Sequence, residues 1–131
     1  MVTISYDNDI ELLMIKVEGV FGMGESVDCL ETLRSVLSTV PRGYWILSDF
    51  SRVQRIDREA TPNISRIMAL CNHHGVDTVV RVLPHPHSDI GLGILSIFHY
   101  CPSVRIIACK TMAEALDALV EARQVEPAMA A

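Results

Sequence analysis

At 131 residues, half of them hydrophobic and 21% charged, the chain is the size of one core-rich domain that needs no covalent staple to fold, which excludes a disordered protein. A formal charge of −5 disfavours a general nucleic-acid binder, which needs a basic surface to displace counterions from phosphates. Cys29, Cys71, Cys101 and Cys109 are widely separated and form no C-x-x-C pair, so disulfides are not expected.

The first residues alternate as a strand from Val2 to Tyr6. Asp7, Asn8 and Asp9 make a turn, and a longer strand runs from Ile10 to about Val20, which together give a hairpin. Beyond Gly22 and Gly24 the period changes. Val27, Leu30, Leu33, Leu37 and Val40 recur three or four residues apart up to Pro41, as on one face of a helix. Tyr44 to Leu47 is short and apolar, as in a buried strand, and Ser48 to Ala60 follows as a loop.

Thr61 and Pro62 start a second helix, with the threonine hydroxyl as cap and the proline in the first turn. Ile64, Ile67, Met68 and Cys71 share its inner face, and Gly75 supplies the left-handed stop. Thr78 to Leu83 is a strand ended by Pro84 and Pro86, and Asp89 to His99 is a helix in spite of Gly91 and Gly93. Val104 to Ala108 is the last strand. Thr111 to Glu114 reads as a capping box ahead of a helix with Ala115, Leu116, Leu119 and Val120 on its apolar face. A flexible tail is expected over 124–131.

The order β-β-α-β-α-β-α-β-α implies one α/β domain over residues 1–123. Consecutive βα units make parallel neighbours and the opening hairpin adds an antiparallel one, so a mixed sheet of four or five strands with flanking helices is expected. The N-terminus has no basic region followed by an apolar one, and the most apolar run, Ile90 to Phe98, is about half the length of a membrane span. A cytoplasmic protein without a membrane span is expected.

The segment DFSRVQRIDREA, Asp49 to Ala60, resembles the part of STAS domains that reads approximately D-L-S-x-V-x-x-[ILMF]-D-[ST]-[ST]-G. These are the anti-sigma-factor antagonists and the cytoplasmic domains of sulfate transporters. Asp49, Ser51, Val53, Ile56 and Asp57 fit, and Val17 to Phe21, Gly75 and the TMAEAL segment extend the resemblance along the chain. In the antagonists the hydroxyl after the second aspartate is phosphorylated by a partner kinase, and the phosphate abolishes binding to it. Here Arg58 and Glu59 occupy those positions and Ala60 replaces the glycine, so the switch does not carry over. The resemblance implies a non-enzymatic, bacterial-type signalling module that binds a protein partner, of the kinase or sigma-regulator class, through the loop and the helix start. Homodimerisation is an open alternative, and no cofactor is expected.

Arg52, Arg55 and Arg58 recur every third residue and Arg66 follows in the helix, beside a helix N-terminus that favours negative charge. The candidate partner- or anion-binding residues are therefore Arg55, Asp57, Arg58 and Thr61. The plainer reading is that Asp49, Asp57 and Glu59 neutralise the arginines in surface pairs that contribute little.

Other constellations carry less. His85 and His87 form an H-x-H pair interrupted by Pro86, short of the four ligands of a structural zinc site. Cys71 lies near His73 and His74 but falls on an apolar helix face, where cysteine is an inert small hydrophobe. Neither a catalytic residue nor a metal site is assigned. Phosphate-loop and nucleophile-elbow motifs are absent, and Gly91 and Gly93 do not make a dinucleotide fingerprint. The helix at 89–99 is apolar on nearly every side, so it is either sandwiched in the core or left partly exposed. That leaves a second reading: a module of similar fold holding a small anionic or acyl molecule between the second and third helices.

Overall fold

The computed structural model describes the backbone of residues 1–84 and 86–130, and the side chains of all of these except 86–90, 94, 98 and 124–130. The elements are β1 (Val2–Asp7), β2 (Leu12–Phe21), α1 (Met23–Leu37), β3 (Trp45–Ile56), a 3-10 turn (Arg58–Ala60), α2 (Thr61–His73), β4 (Thr78–Val82), α3 (Pro86–His99), β5 (Arg105–Cys109) and α4 (Met112–Ala130). The five strands lie side by side in chain order. β1 is antiparallel to β2 and every later pair is parallel, as the element order implied.

The layering follows from handedness. Right-handed crossovers that step steadily in one direction across a sheet leave their helices on one face. Leu13, Ile15, Val17, Ile46 and Val79 of the sheet accordingly pack with Leu33 and Leu37 of α1, Ile64 and Met68 of α2, and Leu92 of α3. α4 covers the other face, where Leu12, Trp45, Leu47, Val80 and Val82 meet Ala115, Leu119 and Ala122. Strand period two divides the residues: Trp45 and Leu47 face α4, while Ile46 between them faces the other helices. β4 is buried along its whole length, which explains why it is apolar on both faces apart from Thr78 and Arg81.

Several local expectations hold. Asp9 N–H donates to Asp7 Oδ1 at 3.0 Å in the hairpin turn, and Gly75 has φ +81° where α2 stops. At the start of α4, Glu114 N–H donates to Thr111 Oγ1 at 3.2 Å, and the Glu114 carboxylate accepts from Lys110 N–H at 3.0 Å. The return bond thus lands one residue before the cap.

Other expectations are corrected. The Ser48–Ala60 segment is not a loop: β3 runs on to Ile56, because β2 extends far enough to pair with it. Thr61 does not cap α2. The 3-10 turn has already brought Ala60 to helical angles (φ −76°, ψ −18°), so Ala60 is the cap residue and Pro62 falls one position later. On α4, Leu116 and Val120 are exposed, and Ala122 joins Ala115 and Leu119 in the buried stripe. Val27 of α1 is likewise exposed. α3 begins at Pro86, before the expected Asp89, and α4 spans Met112–Ala130.

Candidate functional site

The site begins where β3 outgrows its neighbour. β4 pairs with β3 from Trp45–Thr78 to Asp49–Val82, and beyond that point, among the described residues, β2 is the strand that flanks it. The register to β2 slips twice: Lys16 and Glu18 stand opposite Asp49 and Arg52, and Gly19 and Val20 opposite Val53 and Arg55. At each slip β3 carries one residue more than β2, which is a bulge. The strand's inward positions become Phe50, Val53 and Ile56, three apart instead of two, and Ser51, Arg52, Gln54 and Arg55 are exposed.

The chain then bends into α2. Asp57 N–H donates to the Phe21 carbonyl at 2.9 Å, and Ala60 N–H donates to the Asp57 carbonyl at 3.0 Å. Ala60, in place of the expected glycine, is fully buried. Its φ is negative, so no glycine is needed there. Gly22 at the start of α1 is held close to this bend, since a Cβ on it would lie 3.1 Å from Asp57 Oδ2.

Of the predicted site residues, Arg55 and Asp57 meet directly, with Arg55 Nε donating to Asp57 Oδ1 at 2.7 Å. The arginine is mostly exposed, so the pair adds little stability. Arg58 and Thr61 are exposed and make no side-chain hydrogen bond among the described residues. The four form a ridge from the end of β3 to the first turn of α2. Asp49 is not on it: its side chain is buried and accepts Ser51 N–H at 2.9 Å.

Beneath the ridge lies a contact that sequence reasoning missed. Asn63 is buried and donates from Nδ2 to Ser26 Oγ at 3.0 Å, while its Oδ1 accepts from Arg66 at 2.8 Å. Ser26 Oγ donates in turn to the Met23 carbonyl at 2.7 Å. The two partners are 37 residues apart, and no local pattern links them.

A cavity of about 50 Å³ lies between the sheet and α1, α2 and α3. Val17, Phe21, Ile64, Met68 and Leu92 line it, with the buried Arg81 in its wall. Arg81 donates to Ser96 Oγ of α3 at 3.1 Å. Cys29 and Cys71 also face the cavity, and burial pushes both thiols up to about 12, which suits packing and not nucleophilic attack at neutral pH. Along α3, Leu92 and Ser96 are buried but Ile97 is exposed at the rim of a groove of about 410 Å³ that Tyr100, Val104 and Ile106 also line. Among its described side chains the helix is thus left partly exposed, the second of the two expectations.

His85 and the side chain of His87 lie outside the described residues. Among those described, no three His, Cys, Asp or Glu side chains are placed to hold a metal ion, and no helix is long and apolar enough to cross a membrane.

No family model and no curated protein matches the chain. Solved structures do. One is an uncharacterized protein of the DUF3478 family with a SpoIIAA-like fold from Shewanella loihica PV-4, similar over 91% of this chain and 92% of its own at 15% identity and a TM-score of 0.67. Another is Mglu, similar over 64% of this chain at 18% identity and a TM-score of 0.53, of which the chain spans 20%. The chain therefore has a SpoIIAA-like fold, the α/β architecture that the resemblance to STAS domains implied.

Proposed function

We propose that the chain is a non-enzymatic STAS-type regulatory module that binds a protein partner, of the kinase or sigma-regulator class, through the ridge of Arg55, Asp57, Arg58 and Thr61. The observation that carries this reading is the contrast between the ridge's exposed side chains and the rigid support beneath them. Arg58 and Thr61 are open to solvent, while Ala60 is fully buried and Asn63 is bonded to α1. A surface held in one shape before a partner arrives loses less freedom on binding. With arginine at position 58, the module would be constitutive at the position where the anti-sigma-factor antagonists it resembles are switched.

A photo-crosslinking residue at position 58 tests the reading, with one at Leu116 on the opposite face as control. A kinase or sigma regulator crosslinked at 58, not at 116, and lost when Arg55→Glu is added to the position-58 variant is the expected result. Equal capture from both positions would overturn it.

The cavity favours a second reading, in which a small anionic or acyl molecule is held between α2 and α3 with its polar end towards Arg81 and Ser96. At about 50 Å³ the space is larger than one water needs, and a longer ligand would have to part the two helices. A small molecule retained in native mass spectrometry would support this reading, and its loss in Leu92→Trp would place it in the cavity.

A further inference from the structure

The internal cavity and the groove beside α3 share a wall. Tyr100, the first residue past the end of α3, lines both. Ser96 stands with it: it lines the groove, and its Oγ accepts from Arg81 of the cavity wall. The two spaces are unequal. At about 50 Å³ the cavity has room for about three or four water-sized atoms. The groove, at about 410 Å³, falls within the roughly 300–1,000 Å³ of small-molecule sites, and Ile97, Pro102, Val104 and Ile106 make it apolar.

Tyr100 is fixed at its backbone and not at its hydroxyl. Its N–H donates to the Ser96 carbonyl at 2.9 Å, and the next residue, Cys101, donates its N–H to Asn72 Oδ1 at 2.9 Å. The hydroxyl makes no hydrogen bond among the described residues. Burial pushes its pKa up, and Cys71 and Arg81 of the cavity wall act on it next, so the hydroxyl end belongs to the cavity while the rest of the residue faces the groove. A hydroxyl taken out of bulk water without a partner costs free energy, and an acceptor carried by a ligand recovers it. Arg81 has interactions beyond Ser96, so the donor with capacity to spare is the tyrosine.

A ligand that fits both spaces has a small acceptor head and an apolar chain. The head is terminal, because the cavity has no room for a larger group beyond it. We infer that the groove is the mouth of the cavity, and that the two together hold one unbranched medium-chain carboxylic acid, with a carboxyl oxygen accepting from Tyr100 Oη and the chain lying along Ile97, Val104 and Ile106. Tyr100 is then gate as well as donor, since its side chain can swing aside without breaking a hydrogen bond. The inference rests on the cavity reading above and deepens it: between α2 and α3 a longer ligand has to part the helices, whereas past Tyr100 its chain leaves through a space that already exists.

Isothermal titration calorimetry of the full chain with sodium decanoate, kept below its micellar concentration, tests it. The controls are 1-decanoylglycerol, whose carbonyl is no longer terminal, and decyltrimethylammonium, which has the chain without an acceptor. The expected result is one decanoate bound per chain and neither control bound. Tyr100→Phe, which removes the hydroxyl and keeps the ring, should weaken decanoate binding by about tenfold. Ile97→Glu, on a side chain that is 78% exposed, should weaken it by about tenfold or more by placing a charge along the chain. Both variants should keep the Tm of the free wild type, and decanoate should raise the Tm of the wild type more than theirs. The inference is overturned if decanoate does not bind, if either control binds as well as decanoate, or if Tyr100→Phe or Ile97→Glu binds like the wild type. Its failure is distinguishable from that of the cavity reading: decanoate binding lost in Leu92→Trp but kept in Ile97→Glu removes only the groove, while binding kept in Leu92→Trp removes the cavity as well.

Discussion

Asn63 in the first turn of α2 donates to Ser26 on α1 across 3.0 Å, with both side chains buried. The bond fixes the approach of the two helices directly beneath the candidate ridge. Replacing Asn63 by alanine removes the amide from Ser26 and from Arg66 at once, and leaves polar atoms behind in a site without bulk water. We expect Asn63→Ala to lower stability by about 1–3 kcal/mol and Tm by several degrees, followed by circular dichroism during thermal unfolding. An unchanged Tm would mean that the bond adds nothing to the packing of α1 on α2.

Gly75 ends α2 with φ +81°, and a Cβ built there would lie 2.8 Å from Arg42 Cζ. Arg42 is in turn held by the His73 carbonyl, to which its NH1 donates at 3.1 Å. Alanine meets both the left-handed backbone penalty and this side chain. Gly75→Ala should cost about 1–2 kcal/mol, while Gly24→Ala, where a Cβ meets nothing within 4 Å, should be neutral or stabilising inside α1. Chemical denaturation midpoints of the two variants give the comparison.

The two threonines at helix starts make a matched pair. Thr111 Oγ1 accepts from Glu114 N–H, whereas α2 has no side-chain cap bond at all. Thr111→Ala should therefore destabilise by about 0.5–2 kcal/mol, and Thr61→Ala by less than about 0.5 kcal/mol. The same geometry leaves the Thr61 hydroxyl available to solvent. Phosphopeptide mapping after incubation with a partner kinase should find no modification at position 58, and phosphate at Thr61 would restore a switch to the ridge.

Burial of Cys29 and Cys71 raises both thiols from an ordinary 9.0 to about 12. The folded state favours the protonated thiol, so this contribution to stability is complete below about pH 9 and is lost as pH rises from there towards 12. Tm should be level from neutral pH to about pH 8.5 and fall above 9, and C29A/C71A should fall less steeply. Of the four cysteines only Cys101 is exposed, so a chromogenic disulfide reagent should titrate one thiol rapidly at pH 8 and the remaining three after unfolding.

Much of this fold is legible in the sequence because it is written locally. The hairpin shows in the alternation on either side of Asp7, Asn8 and Asp9. α1 shows in the spacing of Leu30, Leu33 and Leu37, and the end of α2 in Gly75. Periods of two and of three to four arise within a few residues of chain, so the order of elements follows from them, and the order fixes the mixed sheet with three helices on one face. The resemblance over Asp49 to Ala60 likewise pointed to the segment where the candidate site is proposed, with Arg58 and Glu59 at the positions of the family's hydroxyls.

What the tertiary structure alone decided involves partners distant in the chain. Phe50, Val53 and Ile56 are three apart, which reads as a loop until β2 is laid beside them, because a bulge is a mismatch between two strands and is not visible in either one. The joint exposure of Arg52 and Arg55 depends on that mismatch. Leu116 and Val120 are as apolar as Leu119 yet stand in solvent, since α4 has a single sheet face to bury against and its rotation is set by Trp45, Leu47 and Val80 across the interface. Asn63 finds Ser26 only once two crossovers have brought α1 and α2 side by side. Local sequence sets which elements form; the register and rotation of one element against another are set by how their surfaces fit, and a surface exists only after both have folded.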